Sequence, residues 1–336
     1  MTQRENFYDG RTVLVTGAGG FIASHLTEAL VRQGAHVRAL VKYNSRNDWG
    51  HIERLPESVQ QALEIHTGDI TDPFLMRRLC ENVDTVFHLA ALIGIPYSYI
   101  APQHYVSVNV TGTLNVLEAA RSEGIRRLVH TSTSETYGTA LYTPIDEKHP
   151  LQGQSPYSAS KIAADQLVDS YYRSFSLPAT TIRPFNTYGP RQSARAIIPT
   201  IISQALTGQP IVLGSLAPQR DFTYVSDTVA GFLAVGSCDA ALGHVTNVGS
   251  GFAVSIGETV EMILKILNQP SHSVQADDPE RVRPEQSEVG LLLCNNQMAK
   301  ERLNWQPTVS FEEGLSLTID AIRHSLSAYK TTVYNV

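Results

Sequence analysis

The stretch TVLVTGAGGFIASHL, residues 12–26, decides the fold. TVLVTG (12–17) reads as a strand, and FIASHLTEALVRQG (21–34) has helical spacing that stops at Gly34. The turn between them carries Gly17, Gly20 and Ala23. Gly17 permits the tight turn, Gly20 lets a pyrophosphate approach the backbone, and Ala23 keeps the helix close to the strand. The helix start at Phe21 and Ile22 offers its amides to phosphate oxygens. A glycine-rich turn alone is weak evidence. One that follows a strand and opens a helix near the N-terminus points to a dinucleotide.

Outward from that turn the rhythm repeats. HVRALV (36–41), LEIHTGD (63–69), TVFHLAA (85–91), RRLVHTST (126–133) and ATTIRPF (179–185) read as strands. Helical patterns start near Asp72 and cover 108–124 and 158–175. This alternation predicts an α/β fold, a Rossmann-type doubly wound parallel sheet with helices on both faces. After Pro184 the elements shorten, and proline and glycine cluster in RPFNTYGPRQ (183–192). Residues 1–184 and about 220–248 are therefore expected to form the dinucleotide-binding domain, with RDFTYVSDTVAGFLAV (220–235) returning to the main sheet. Residues 185–219 and 249–330 are expected to form a smaller C-terminal α/β substrate lobe.

Composition excludes several functions. Of the 336 residues, 42% are hydrophobic and 17% charged, and the net charge is −6. There is no long basic face, so nucleic acid is not an expected partner. Cys80, Cys238 and Cys294 are too few and too scattered for a disulfide framework or a zinc site, which fits a reducing cytoplasm. The eleven histidines have no metal-binding spacing, so no metal is expected. The polar start MTQRENFYDGRT lacks the apolar core of a signal peptide. The apolar AIIPTIISQAL (196–206) is too short to span a bilayer, so no membrane association is expected.

Three features carry chemistry. SPYSASKIAAD places Tyr157 and Lys161 four apart, on one helix face. A free tyrosine, with a pKa near ~10, is a poor base at neutral pH. A nearby ammonium would favour the phenolate, and the lysine can also hold a nicotinamide ribose. TSTSETYG (131–138) sets Glu135 close to a buried strand end, where an acid is costly without a task or partner. A helix cap of Ser or Thr followed by Glu is the structural alternative there. At the end of the second strand an acid would select NAD, but ALVKYNSRND has Val41 and Lys42, with Arg46 close by. A tightly bound, recycled NAD(P)+ is expected, with NADP+ slightly favoured over NAD+.

In this order the motifs resemble the extended short-chain dehydrogenases/reductases, over nearly the whole chain to RLNWQPTVSFEEGL (302–315). Ala23 stands where that branch has a third glycine. The resemblance implies that Asp69 and Ile70 of TGDI meet the adenine. It puts Leu89, Ala90 and Ala91 of HLAA on the cofactor floor, and Asn109 at the family's helix asparagine in the cofactor site. RPFNTYGPRQ and RDFTYVSD are similar to nucleotide-sugar motifs. They imply that Asn186, Arg220 and Arg283 contact the substrate's diphosphate, that Arg191 and Arg195 join them, and that Ile198 of AIIP lines the base pocket. IGIPYSY (93–99) either roofs the sugar or forms a packed aromatic loop.

The triplet Thr133-Ser134-Glu135 resembles that of the nucleotide-sugar 4,6-dehydratases. It implies that Thr133 and Tyr157 orient the C4 hydroxyl, that Glu135 removes the C5 proton, and that Ser134 helps the C6 hydroxyl leave as water. VKYNSRNDWG, IPYSY and RVRPEQSEV are similar to the GDP-N-acetylglucosamine 4,6-dehydratases of legionaminic-acid biosynthesis, implying a hydro-lyase on a GDP- or UDP-N-acetylglucosamine type of sugar nucleotide. Three rivals stay open. Hexuronate decarboxylases share the Thr-Ser-Glu triplet, 4-epimerases generally lack the glutamate, and cofactor-sensing binders usually lose the Tyr-Lys pair. Helices around 104–123 and 156–174 are expected to pair with a second subunit in a homodimer.

Overall fold

The β-branched runs assemble into a parallel sheet in the computed structural model, which describes residues 7–334. The first six residues, half of the polar start, lie outside the described residues. The first six strands are β1 (Thr12–Thr16), β2 (His36–Lys42), β3 (Leu63–Gly68), β4 (Thr85–His88), β5 (Arg127–Thr131) and β6 (Ala179–Pro184). The rest are β7 (Asn186–Tyr188), β8 (Ile211–Val212), β9 (Gln219–Tyr224), β10 (Val245–Val248), β11 (Ala253–Ser255), β12 (Val274–Gln275) and β13 (Leu291–Leu292). The main sheet runs β10-β6-β5-β4-β1-β2-β3, with every neighbouring pair parallel. Its order reverses between β1 and β4, which opens a crevice at their carboxyl ends.

Both faces of this sheet are covered. Leu26 and Leu30 of helix Phe21–Arg32 pack with Phe232 and Val235 of helix Val225–Ser237 on one face. Met76, Leu79, Val116, Leu117 and Val168, from helices Pro73–Cys80, Gly112–Ser122 and Pro156–Phe175, form the core of the other. Caps set where these helices begin. Asp72 accepts from the amides of Phe74 and Leu75 at 2.9 and 3.1 Å. Ser155 and Ser158 form a reciprocal capping box ahead of Tyr157.

Two expectations need correction. The helix expected over 108–124 starts earlier, at Pro102, and passes through a π-wound turn, Val106–Thr111, before Gly112–Ser122. A 3.6-residue period does not register that wider turn, which holds Asn109 buried. The strand of the 220–235 segment also does not return to the main sheet. Strand β9 is the centre of a second sheet, β11-β9-β13, with β7 also on β9. The buried carboxylate of Asp221 holds it there, accepting from the amides of Ser250, Gly251 and Cys294 and from the Ser250 hydroxyl. The return is made by helix Val225–Ser237 and by β10, which takes the open edge of β6.

The second sheet and the β8–β12 pair lie under helices Ile197–Leu206, Ile256–Ile266 and Phe311–His324. There Ile201, Ile202, Phe222, Ile263 and Ile319 share a core. Among the described residues no helix is long and apolar enough to cross a membrane, and all three cysteines are buried and unbridged.

Asp227, buried at the start of helix Val225–Ser237, fastens the C-terminal segment. Its carboxylate accepts from the Thr308 amide and hydroxyl and from the Val309 amide at 2.7–3.0 Å. Asp227→Ala removes the acceptor of three hydrogen bonds and is expected to lower the unfolding free energy by about 1–2 kcal/mol. Urea denaturation measures it, and an unchanged midpoint would contradict the anchoring role.

Candidate active site

The glycine turn is a cradle with no room for side chains. Gly17 has φ +73°, and a Cβ there would lie 2.8 Å from the Ala90 backbone. Gly20 begins helix Phe21–Arg32 with no side-chain cap and no acid in the first turn, leaving the positive end of the helix open. Thr16 supports the floor: its hydroxyl accepts from the amides of Leu89 and Ala90 at 3.2 Å and bonds His88 Nδ1 at 2.8 Å. A dinucleotide diphosphate suits this cradle, because bare amides and an unopposed helix dipole are what it needs.

The other residues expected at the cofactor divide. Asp69 spends one carboxylate oxygen on the Thr71 amide and hydroxyl, at 2.9 Å each, beside buried Ile70. Lys42 and Arg46 are exposed at the carboxyl end of β2, and Arg46 lies 3.6 Å from Asp48. Asn109 is a correction. Its amide is fully engaged with Leu92 N, Leu92 O and Ser160 Oγ at 2.8–3.0 Å. It fastens the segment after β4 to the Tyr157 helix and is not free to face a ligand.

At the end of β5 the chain turns sharply. Thr133 caps the turn Ser134–Tyr137 through the Glu135 amide at 3.2 Å, so the capping role foreseen for this triplet is real. The Thr133 hydroxyl also reaches the Tyr157 hydroxyl. Ser134 is buried, and Glu135 is half-buried. Glu135 lies close enough to act electrostatically on both Tyr157 and Arg220. The Tyr157 ring packs edge-on against Tyr105, with centroids 6.2 Å apart.

Lys161 is buried, and its ammonium donates to the Thr131 carbonyl at 2.7 Å. Burial lowers its pKa to about 8, against the pull of Asp165. The expected lowering of the Tyr157 pKa is not found: burial raises it well above the ordinary tyrosine value, Thr133 opposes the rise, and Glu135 adds to it. The reason is that the lysine turns to a carbonyl and the phenol is desolvated.

On the substrate side Arg220, buried, meets Glu288 at 3.0 Å, and Arg283 meets the same carboxylate at 3.8 Å. Asn186 opens β7 with its side-chain oxygen buried and without a hydrogen-bond partner, as is Arg283 Nη1. Two residues go elsewhere. Arg191 pairs with Glu28 at 2.6 Å and reaches Ser24 at 3.4 Å, so it clamps its loop to the glycine-turn helix. Ile198 is buried in the second core, which leaves the half-buried Ile197 as the more open apolar side chain of that helix. Arg195 is exposed near Gly94.

Sequence reasoning missed Glu288, Tyr105 and the group around Asp165. Asp165 was findable, since it lies four residues past Lys161 on the same helix face. Of the two readings of segment 93–99, the packing contacts of an aromatic loop are present. Tyr97 packs on Tyr105, while Tyr99 reaches across to Ser287 with a 2.6 Å hydrogen bond.

A sequence model of the GDP-mannose 4,6 dehydratase family matches residues 14–318. The chain is 35% identical to a UDP-glucose 4-epimerase from Mycolicibacterium smegmatis, over 93% of this chain and 98% of that one. It is 32% identical to a dTDP-glucose 4,6-dehydratase from Xanthomonas campestris, over 92% of each. Among solved structures, an epimerase from Methanothermobacter thermautotrophicus superposes with a TM-score of 0.88 at 31% identity, covering 97% of this chain and 96% of that one. The dTDP-glucose 4,6-dehydratase of Streptomyces venezuelae, solved with NAD and TYD bound, superposes with a TM-score of 0.84 at 27% identity, covering 95% and 99%.

The Lys161 ammonium predominates below about pH 8 and is lost above it. Any step that uses the ammonium should therefore slow as pH rises through about 8. The check is the initial rate of nicotinamide reduction with a sugar nucleotide across that range, and a rate that climbs through it would contradict the assignment.

Proposed function

The chain belongs to the GDP-mannose 4,6 dehydratase family of nicotinamide-dependent nucleotide-sugar enzymes, and within it we propose that this protein is a nucleotide-sugar 4,6-dehydratase. Glu135 carries the reading, as a half-buried carboxylate within electrostatic reach of Tyr157 on one side and Arg220 on the other. An epimerase has no use for a base at that point. The 35% identity to a 4-epimerase is the observation in favour of that alternative. A hexuronate decarboxylase also agrees with the Thr-Ser-Glu triplet.

When bound, the dinucleotide supplies an acceptor for hydrogen from sugar C4 and later returns it to C6. Thr133 and Tyr157 hold the C4 hydroxyl. Burial keeps the phenol protonated in the free protein, and the positive charge of a bound nicotinamide would favour the phenolate that takes the C4 hydroxyl proton. The C4 ketone makes the C5 hydrogen acidic, and the Glu135 carboxylate removes it. The electron pair left at C5 forms the C5–C6 double bond. The C6 hydroxyl departs with the proton from Glu135, as water, with Ser134 assisting. Glu135 then takes up a proton from solvent and delivers it to C5 as C6 is reduced, and the proton held by Tyr157 passes to solvent. Lys161 holds the nicotinamide ribose. Asn186, Arg220 and Arg283 bind the diphosphate, with the arginines exchanging Glu288 for phosphate oxygens.

The substrate is a GDP- or UDP-linked N-acetylhexosamine, on the resemblance of 41–50, 95–99 and 281–289 to the N-acetylglucosamine branch. NADP+ rests on the missing acid after β2 and on the exposed Lys42 and Arg46. A homodimer rests on Val106, Tyr172 and Phe175, apolar and exposed on the helices expected to pair. A cytoplasmic location agrees with the unbridged cysteines.

Glu135→Gln should bind the sugar nucleotide normally and lose about 10²–10⁴-fold in water elimination. In heavy water the wild-type product should carry deuterium at C5. Near-normal elimination by the variant, or no deuterium at C5, would remove Glu135 as the base. For the cofactor, the nucleotide released on denaturation should be NADP+, and NAD+ alone would reverse that part of the reading.

A further inference from the structure

Behind the catalytic turn lies a charge network that the chemistry above does not use. Asp165 is buried, one helical turn beyond Lys161. Its carboxylate accepts from Ser132 Oγ at 2.6 Å and Arg183 Nη2 at 2.7 Å, and bonds His130 Nε2 at 3.2 Å. Arg183 Nε also reaches Ser132 Oγ at 3.3 Å, and its guanidinium lies 4.8 Å from the Tyr137 ring centroid. His88 stands beside His130, with ring centroids 5.6 Å apart. Three strands and the catalytic helix meet here.

We propose that Asp165 is a positioning residue for the catalytic pair, whose carboxylate keeps Lys161 charged and directed at the Thr131 carbonyl beneath the catalytic turn. The charge balance carries the inference. Burial holds both imidazoles neutral at ordinary pH, His130 at about 4 and His88 well below its usual value. That leaves two buried cations, Lys161 and Arg183, and one carboxylate, Asp165. A buried ammonium without a counter-charge gives up its proton. Lys161 makes no direct bond to Asp165, so the support acts through space. Tyr157 and Glu135 face the pair from the catalytic side. On the far side a cavity of about 260 Å3, lined by Glu147, His149, Asp165, Arg183 and His244, opens to solvent.

A purely structural Asp165 would change stability alone. A positioning Asp165 sets the titration of Lys161, and that can be read without substrate. The chain has six lysines, Lys42, Lys148, Lys161, Lys265, Lys300 and Lys330. NMR of the cofactor-loaded protein with ¹³C-labelled lysine therefore gives few signals, and Lys161→Met identifies the one required. The wild-type midpoint is expected near about 8. In Asp165→Asn it should fall by about one pH unit, and Asp165→Glu should restore it. An unchanged midpoint in folded Asp165→Asn would overturn the proposal. Should that variant not fold, Arg183→Gln decides by the opposite sign. Removing the competing cation should raise the Lys161 midpoint, and no rise would overturn the proposal equally. The inference rests on Lys161 serving the Tyr157 chemistry, which the dehydratase reading shares with its enzyme rivals. If the midpoints move as expected and no sugar nucleotide loses water, the dehydratase reading fails and this one stands.

Discussion

The hydrogen bond from the Lys161 ammonium to the Thr131 carbonyl joins the two halves of the site. Thr131 ends β5, and three residues later the chain turns through Ser134 and Glu135. Lys161 stands one helical turn beyond Tyr157. One bond therefore sets how far the catalytic helix stands from the strand end, and so where the phenol meets Thr133. The capping box at Ser155 fixes the start of that helix, and the parallel pairing of β5 between β4 and β6 fixes the strand. The site inherits its precision from regular elements, as a preorganised site requires.

The two sides of the cleft are built on opposite principles. Beneath the turn every charge is buried and answered, because an unanswered buried ion costs several kcal/mol. Asp165, Arg183, Ser132 and His130 answer one another, and Lys161 is answered by a carbonyl and by a nearby carboxylate. On the substrate side the bonding is incomplete. The oxygen of Asn186 and Nη1 of Arg283 are buried without hydrogen-bond partners, while Glu288 is shared between Arg220 and Arg283 and Glu135 also acts on Arg220. Such a surface gains by receiving an acceptor at Arg283 and a donor at the Asn186 oxygen, while beneath the turn His130 Nδ1 and Thr131 Oγ1 are also left without partners. This fits a charge-paired base under a region that completes itself on a ligand.

Much of this was legible in the sequence, for physical reasons. The strand, glycine turn and helix of residues 12–34 form a local unit, so its pattern determines its structure. Tyr157, Lys161 and the 131–138 turn were legible because chemistry limits which residues can stand there. The features that escaped depend on distant partners. Arg191 sits in a substrate motif, but Glu28, far away in sequence, claims it. Ile198 looked like a pocket wall, but helical phase turns it into the core. The π-wound turn around Asn109 leaves no periodic signal. Strand β9, QRDFTY, carries no local pattern that names its sheet, and the bonds of Asp221 to residues 250, 251 and 294 hold it in the second one.

Membership of the family settles the kind of ligand, while the reaction hangs on the fate of the C4 ketone. The most direct measurement is product mass after incubation with GDP- and UDP-linked N-acetylglucosamine, glucose and glucuronate, with no reductant added. The account predicts loss of one water from an N-acetylglucosamine nucleotide. Loss of carbon dioxide from the glucuronate, or an epimer of unchanged mass from any of them with no water lost, would contradict it.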